Sequence, residues 1–172
     1  KVKEFRDSAY ADATDTSKSL LTWWFKEPHL LPKADGRTEQ FEYYFAQQEA
    51  IETIVYLCDV VGVKDKFDLM RFDASACVSA GMFDETWRRY IIKMATGSGK
   101  TKVMSLALAW SFFHKLYEPE SELSRNFLVI TPNIIVLDRI YKDFRGLRIF
   151  FQDPVLPDNG FEGHNWKDDF QL

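Results

Sequence analysis

The chain has 172 residues, 46% hydrophobic and 16% aromatic, with 15 phenylalanines. That is enough for one ordinary domain with a real core, and it excludes a disordered, collagen-like or coiled-coil chain. The net charge of −4 argues against a wholly basic nucleic-acid binder, but the charges are segregated. Residues 1–87 carry 10 basic and 16 acidic side chains, residues 88–150 carry 11 and 5, and residues 151–172 carry 1 and 5. The middle third is therefore a positive region suited to phosphate-bearing ligands.

Cys58 and Cys77 cannot build a disulfide framework and lack a C-x-x-C spacing for zinc. They read as buried or neutral thiols in a reducing compartment. The longest apolar stretch, Val103 to Phe113, has 11 residues including a serine, short of the ~20 that span a bilayer. The N-terminal KVKEFRDSAY has no apolar run like a signal peptide and no initiator Met. A cytoplasmic protein whose natural chain begins earlier is expected, with no membrane partner.

Residues 1–36 read as a preamble. Thr16 or Ser17 is suited to cap a helix through Leu20, Leu21, Trp23, Trp24 and Phe25, stopped by Pro28. Pro28 to Gly36 reads as a loop. From Thr38, a helical pattern places Phe41, Tyr44, Phe45, Ile51, Val55 and Cys58 near one face. Residues 62–86 mix glycine, aspartate and short apolar pieces and receive no assignment. Tyr90 to Met94 is a β-prone run. It leads into Thr96-Gly97-Ser98-Gly99-Lys100-Thr101 and then into an apolar helix from Val103 to Phe113. Phe127 to Ile130 is a second strand, ended by Thr131-Pro132. A helix through Ile135, Leu137, Ile140, Tyr141 and Phe144 stops near Gly146, and Leu147 to Phe151 is a third strand. This rhythm predicts an α/β fold, a parallel sheet flanked by helices with a helical preamble.

A glycine-rich turn between a strand and a buried helix is the setting of a phosphate-binding loop. Gly97 and Gly99 permit backbone conformations closed to other residues. Successive N–H groups can then converge on phosphate oxygens at the positive end of the helix. Lys100 offers a point charge to the terminal phosphates, and the Thr101 hydroxyl can ligate Mg²⁺. The pattern departs at its first position, where Met94 stands in place of glycine. The site residues expected to hold ATP are Thr96, Gly97, Ser98, Gly99, Lys100 and Thr101, with Lys100 and Thr101 closest to the chemistry.

The sequence MATGSGKT, with Met ahead of the loop, resembles superfamily-two helicase motors of the restriction-enzyme type more than DEAD-box RNA helicases. Gln47 to Ile54, QQEAIETI, resembles the Q-x-E-A-I element ahead of the loop in that family. Asn126 to Phe144 resembles its motif Ia strand and helix. The nearest match is the type III restriction enzyme Res subunit, with related DEAD/DEAH-like helicases. The resemblance implies a P-loop NTPase (RecA-like) domain over residues 37–172, incomplete at the acidic end, following the preamble of residues 1–36. It implies the ATP-binding N-terminal part of an ATP-dependent DNA helicase or translocase, hydrolysing ATP as part of a longer chain and inactive alone. ATP and Mg²⁺ are the implied cofactors, and DNA and a modification methyltransferase subunit the implied partners.

It also implies that Gln47 reads adenine, a carboxamide offering donor and acceptor to the base, with Gln48 as rival. An aromatic among Phe41, Tyr43, Tyr44 and Phe45 could stack on that base, although core packing suits them better. Thr131, Pro132 and Asn133 would contact the DNA backbone, and Arg139, Lys142, Arg145 and Arg148 could extend that surface. His29, His114 and His164 are scattered, and spacing alone yields no Ser/His/Asp arrangement. No Asp-Glu follows an apolar strand downstream of Lys100. Asp153, after RIFFQ, is a partial match, and Asp168-Asp169 follow HNWK, which is not a buried strand. Two other classes remain open: a small P-loop phosphotransferase, disfavoured by the 87 residues ahead of the loop strand, and a nucleotide-binding module that does not hydrolyse.

Overall fold

The computed structural model describes residues 1–73, 77, 79, 81 and 84–172. The chain opens with α1 (Val2–Asp7) and α2 (Asp15–Phe25). The cap of α2 is Thr14, whose hydroxyl accepts from the Ser17 N–H at 3.4 Å. Thr16 and Ser17, expected as caps, lie inside the first turn and are buried. Ser17 is drawn inward because its hydroxyl accepts the Trp110 indole N–H at 2.8 Å.

The expected loop after Pro28 is instead half of a hairpin, β1 (His29–Pro32) against β2 (Thr38–Phe41), antiparallel with His29 opposite Phe41. Gly36, at φ +80°, makes the turn that lets Lys33 N–H reach the Arg37 carbonyl at 2.7 Å. Thr38 thus begins a strand rather than a helix, since cross-strand pairing uses the backbone of residues 38–41. Helix α3 (Phe45–Val55) starts later and runs on into a π-helical turn, Tyr56–Val60. Of the predicted face, Ile51 and Val55 are buried, whereas Tyr44 and Phe45 face outward.

After α4 (Lys66–Met70) comes α5 (Lys100–Tyr117), the longest helix among the described residues. Val103, Leu106, Ala109, Trp110, Phe112 and Phe113 are all buried on it. Around them pack Leu20, Leu21 and Trp24 from α2, Ile51 and Val55 from α3, and Phe150, Val155, Leu156, Trp166 and Phe170 from the C-terminal quarter. The chain ends through α6 (Ile134–Phe144), a 3₁₀ turn (Arg145–Leu147), α7 (Arg148–Gln152), a two-residue hairpin of β3 (Gly160–Phe161) and β4 (His164–Asn165), and α8 (Trp166–Asp169).

Two polar ties fix this arrangement. Glu52, fully buried, accepts from Arg6 Nε at 2.7 Å, from the Tyr10 hydroxyl at 2.7 Å and from Gln48 at 2.8 Å, joining α1 to α3. Asp59, in the π turn, accepts from the Thr14 N–H and hydroxyl at 3.0 and 2.9 Å and meets His114 Nε2 at 3.1 Å. His114 Nδ1 lies 2.7 Å from the Ser121 hydroxyl. The Ser/His/Asp trio that spacing did not reveal therefore exists as a buried tie between α2, α3 and α5.

The expected parallel sheet is not formed among the described residues, whose two sheets are both two-stranded and antiparallel. Residues 90–94 and 127–130 carry no ladder hydrogen bonds. An apolar strand of a parallel sheet needs covered faces and paired neighbours. Here Ile91, Leu128 and Ile130 are 88%, 85% and 83% exposed. The third predicted strand, residues 147–151, is helical. Gly146 and Leu147 turn the chain at φ +66° and +59°, and the helix then delivers Phe150 into the core between Phe144 and Phe170. Cys58 is half-buried, and burial pushes its thiol pKa up. Cys77 is exposed rather than buried. Among the described residues, no helix is long and apolar enough to cross a membrane.

Candidate nucleotide-binding site

The loop from Ala95 to Gly99 closes on itself before α5 begins. The Ser98 hydroxyl donates to the Ala95 carbonyl at 2.7 Å. Gly97 and Gly99 lie at φ +84° and +78°, the left-handed region that favours glycine. The Lys100 ammonium curls back over the loop and donates to the carbonyls of Met94 and Ala95 at 3.0 and 2.8 Å. Among the described residues, the N–H groups of Gly97, Gly99, Lys100 and Thr101 have no acceptor. These four donors lie at and just ahead of the positive end of an 18-residue helix, the kind of group that suits an anion.

Gln47 stands directly behind this loop, only 2% exposed. Its Oε1 accepts the Tyr44 N–H at 2.9 Å, capping α3, and its Nε2 donates to the Ser98 carbonyl at 2.9 Å. A Cβ at Gly99 would fall 2.2 Å from that Nε2, so a larger residue there, besides being strained at this φ, would push the Gln47 carboxamide aside. Gln48, the rival, donates to Glu52 on the other side of the helix and is absent from the loop.

Two clefts flank the loop, and Lys102 lines both. The first, of about 530 Å³, is walled by Phe41, Tyr44 and Gln47 together with Glu39, Gln40 and Glu42. Of the four aromatics weighed for stacking, Tyr43 packs edge-on between Phe25 and Phe41, and Phe45 lies under the Arg6 guanidinium. Tyr44, 66% exposed, is the ring left open to this cleft. The second cleft, of about 350 Å³, gathers Gly99, Thr101, Arg139, Lys142, Arg148 and Asp153. Arg139 and Lys142 form no ion pair among the described residues and line the cleft alongside Asp143. Sequence reasoning placed these cations on a nucleic-acid surface. Their spacing on one face of α6, three residues apart, was the available sign of convergence.

Asp153 is ion-paired with Lys102 and follows a helix, not a strand. Asp169 is engaged by the Tyr117 hydroxyl at 2.9 Å and by His164. Among the described residues no three His, Cys, Asp or Glu side chains converge as a metal centre. Thr101 lines the basic cleft, and a hydroxyl there is the type of ligand that would accompany a phosphate-bound Mg²⁺.

Thr131, Pro132 and Asn133 form the exposed approach to α6. Asn133 Oδ1 accepts the Val136 N–H at 3.0 Å as an N-cap, and the Thr131 hydroxyl lies 3.4 Å from the Asn133 carbonyl. The structure therefore brings together Gln47 with residues 96–101, and leaves the residue 131–133 trio on a separate turn.

Compared with known proteins, residues 40–169 match the family model described as type III restriction enzyme, res subunit. No curated protein and no solved structure matches.

Proposed function

The chain belongs to the type III restriction enzyme res subunit family, and from that membership we propose that it is the ATP-binding N-terminal portion of an ATP-dependent DNA helicase or translocase of a restriction system. The observation that carries this reading is the set of four unpaired N–H groups from Gly97 to Thr101, with the Lys100 ammonium on the same loop. Such a set stabilises phosphate charge without any side-chain rearrangement except that of the lysine, which exchanges two neutral carbonyls for an anion. Lys100 and Thr101 act nearest the terminal phosphates, with Thr96, Gly97, Ser98 and Gly99 forming the cradle and Arg139, Lys142 and Arg148 adding positive potential from the second cleft. The base lies over Tyr44 in the first cleft, with Gln47 at its floor. Bound MgATP supplies the phosphoanhydride whose hydrolysis drives movement along DNA.

In this reading residues 37–172 form part of a RecA-like motor domain, and residues 1–36 brace it. The apolar, unpaired segments 90–94 and 127–130 have the chemistry of parallel-sheet strands, one feeding the phosphate loop and the other the turn before α6. Thr131, Pro132 and Asn133, with the start of α6, meet the DNA backbone, a contact that positions without reading sequence. The protein works in the cytoplasm beside a modification methyltransferase subunit.

Calorimetric titration of the 172-residue chain with MgATP tests the reading. Saturable binding at one site, lost or weakened at least about tenfold in Lys100→Ala, is expected from removal of a charge-assisted phosphate contact. Equal affinity in parent and variant overturns it.

A further inference from the structure

The carboxamide of Gln47 is more committed than a base-reading group can be. To read an adenine edge it must present Oε1 and an N–H together to the base. Here Oε1 already holds the Tyr44 N–H and Nε2 already holds the Ser98 carbonyl, and the side chain is 2% exposed. The contact with the loop is also close: a Cβ at position 99 would meet the same Nε2 at 2.2 Å and displace it.

That contact has a consequence set by peptide geometry. The C=O of Ser98 and the N–H of Gly99 belong to one planar trans unit and point in opposite directions. Pulling the Ser98 carbonyl toward Gln47 therefore turns the Gly99 N–H away from α3, to the open side of the loop. The same anchor fixes the start of α5, where Lys100 and Thr101 present their own free N–H groups.

Resting on the nucleotide reading above, we propose that Gln47 is a positioning residue for phosphate: it aims the Gly99 N–H through the Ser98 carbonyl and does not discriminate the base. Its loss weakens every ligand that carries the phosphate chain, with or without adenine.

The test uses the 172-residue chain titrated calorimetrically with MgATP, MgGTP and magnesium tripolyphosphate. Gln47→Glu retains an oxygen for the Tyr44 N–H and so keeps the cap, but it sets a carboxylate against the Ser98 carbonyl. Gln47→Met, similar in size and apolar, serves as second variant, and thermal melts monitor folding. Expected is a loss of roughly threefold to tenfold in affinity for ATP and tripolyphosphate alike, the scale of one net hydrogen bond, with the ATP-to-GTP preference unchanged. Loss for ATP with tripolyphosphate unaffected overturns the inference, as does an unchanged affinity for both, or a parent that binds ATP but not tripolyphosphate. A parent that binds none of the three overturns the nucleotide reading itself, and this inference with it.

Discussion

The indole N–H of Trp24 donates to the carbonyl of Val155 at 2.8 Å, inside the core and across 131 residues of chain. Its neighbour Trp23 does the same to Pro154 at 3.0 Å. Two consecutive tryptophans thus pin α2 to the stretch that carries Asp153, which is itself paired with Lys102 on the first turn of α5. Trp24→Phe keeps an apolar ring but leaves a buried carbonyl without its donor. Destabilisation of roughly 1–3 kcal/mol is expected, read as a lower urea midpoint. Trp23→Phe, at a half-buried site, should cost less.

Glu52 is a buried carboxylate held by three donors, Arg6, Tyr10 and Gln48. The Arg6 guanidinium is held more firmly protonated by Glu52 and Glu49, and the Tyr10 hydroxyl is pushed upward by burial and by its bond to Glu52. Glu52→Ala leaves Tyr10 and Gln48 without their acceptor and Arg6 with Glu49 alone, and should cost about 3 kcal/mol, the low end of the range for breaking a buried pair. The companion double variant Arg6→Met/Glu52→Met should recover much of that loss. Denaturation of the single and double variants side by side decides the matter.

Asp59 gives the fold a defined acid response. Burial disfavours its charge, but the bonds from His114, Ser17 and Thr14 outweigh this and hold the carboxyl below its ordinary 3.8. A depressed folded value contributes stability that is complete above the unfolded value and is lost as pH falls through the folded one. Between pH 7 and pH 5 the contribution should be flat, and below about pH 4 it should decline. Urea midpoints at pH 7, 5 and 3 check this: Asp59→Asn should be weaker than the parent at pH 7, with the gap narrowing at pH 3.

Nucleotide held by these 172 residues should not be turned over appreciably. Phosphoryl transfer needs the water oriented and the developing charge met, and an arginine finger alone is worth about 10³–10⁵ in rate. Asp153, which lines the basic cleft with Thr101, is paired with Lys102. A phosphate-release assay with and without DNA should read background. Multiple turnovers that vanish in Asp153→Asn would assign that carboxylate a direct part.

The glycine turn at Gly97 and Gly99, the buried helix after it and the helix from Ile134 were legible because each depends on local chemistry: glycine conformations, an all-round apolar run and a 3.6-residue period. The β1–β2 hairpin was not, since a short strand is recognisable only with its partner and Pro28 masked its start. The helical state of residues 148–152 was hidden for a related reason. A five-residue apolar run suits strand or helix equally, and the decision came from Gly146 and from the room for Phe150 beside Phe144 and Phe170. Gln47 was found by its motif, but its bond to Ser98 lies 51 residues away in sequence and had no local sign.

Ile91, Leu128 and Ile130 touch almost nothing within the chain, and each sits in a β-prone run whose backbone is unpaired. In concentrated solution such segments meet their counterparts on other molecules before they meet anything else, by the same pairing that builds a sheet edge. These side chains thus add a route to association that the net charge of −4 alone would not suggest. Leu128→Lys should raise the concentration at which light scattering departs from that of a monomer, and it should leave the melting temperature where it was, because the leucine it replaces stabilises no fold of its own.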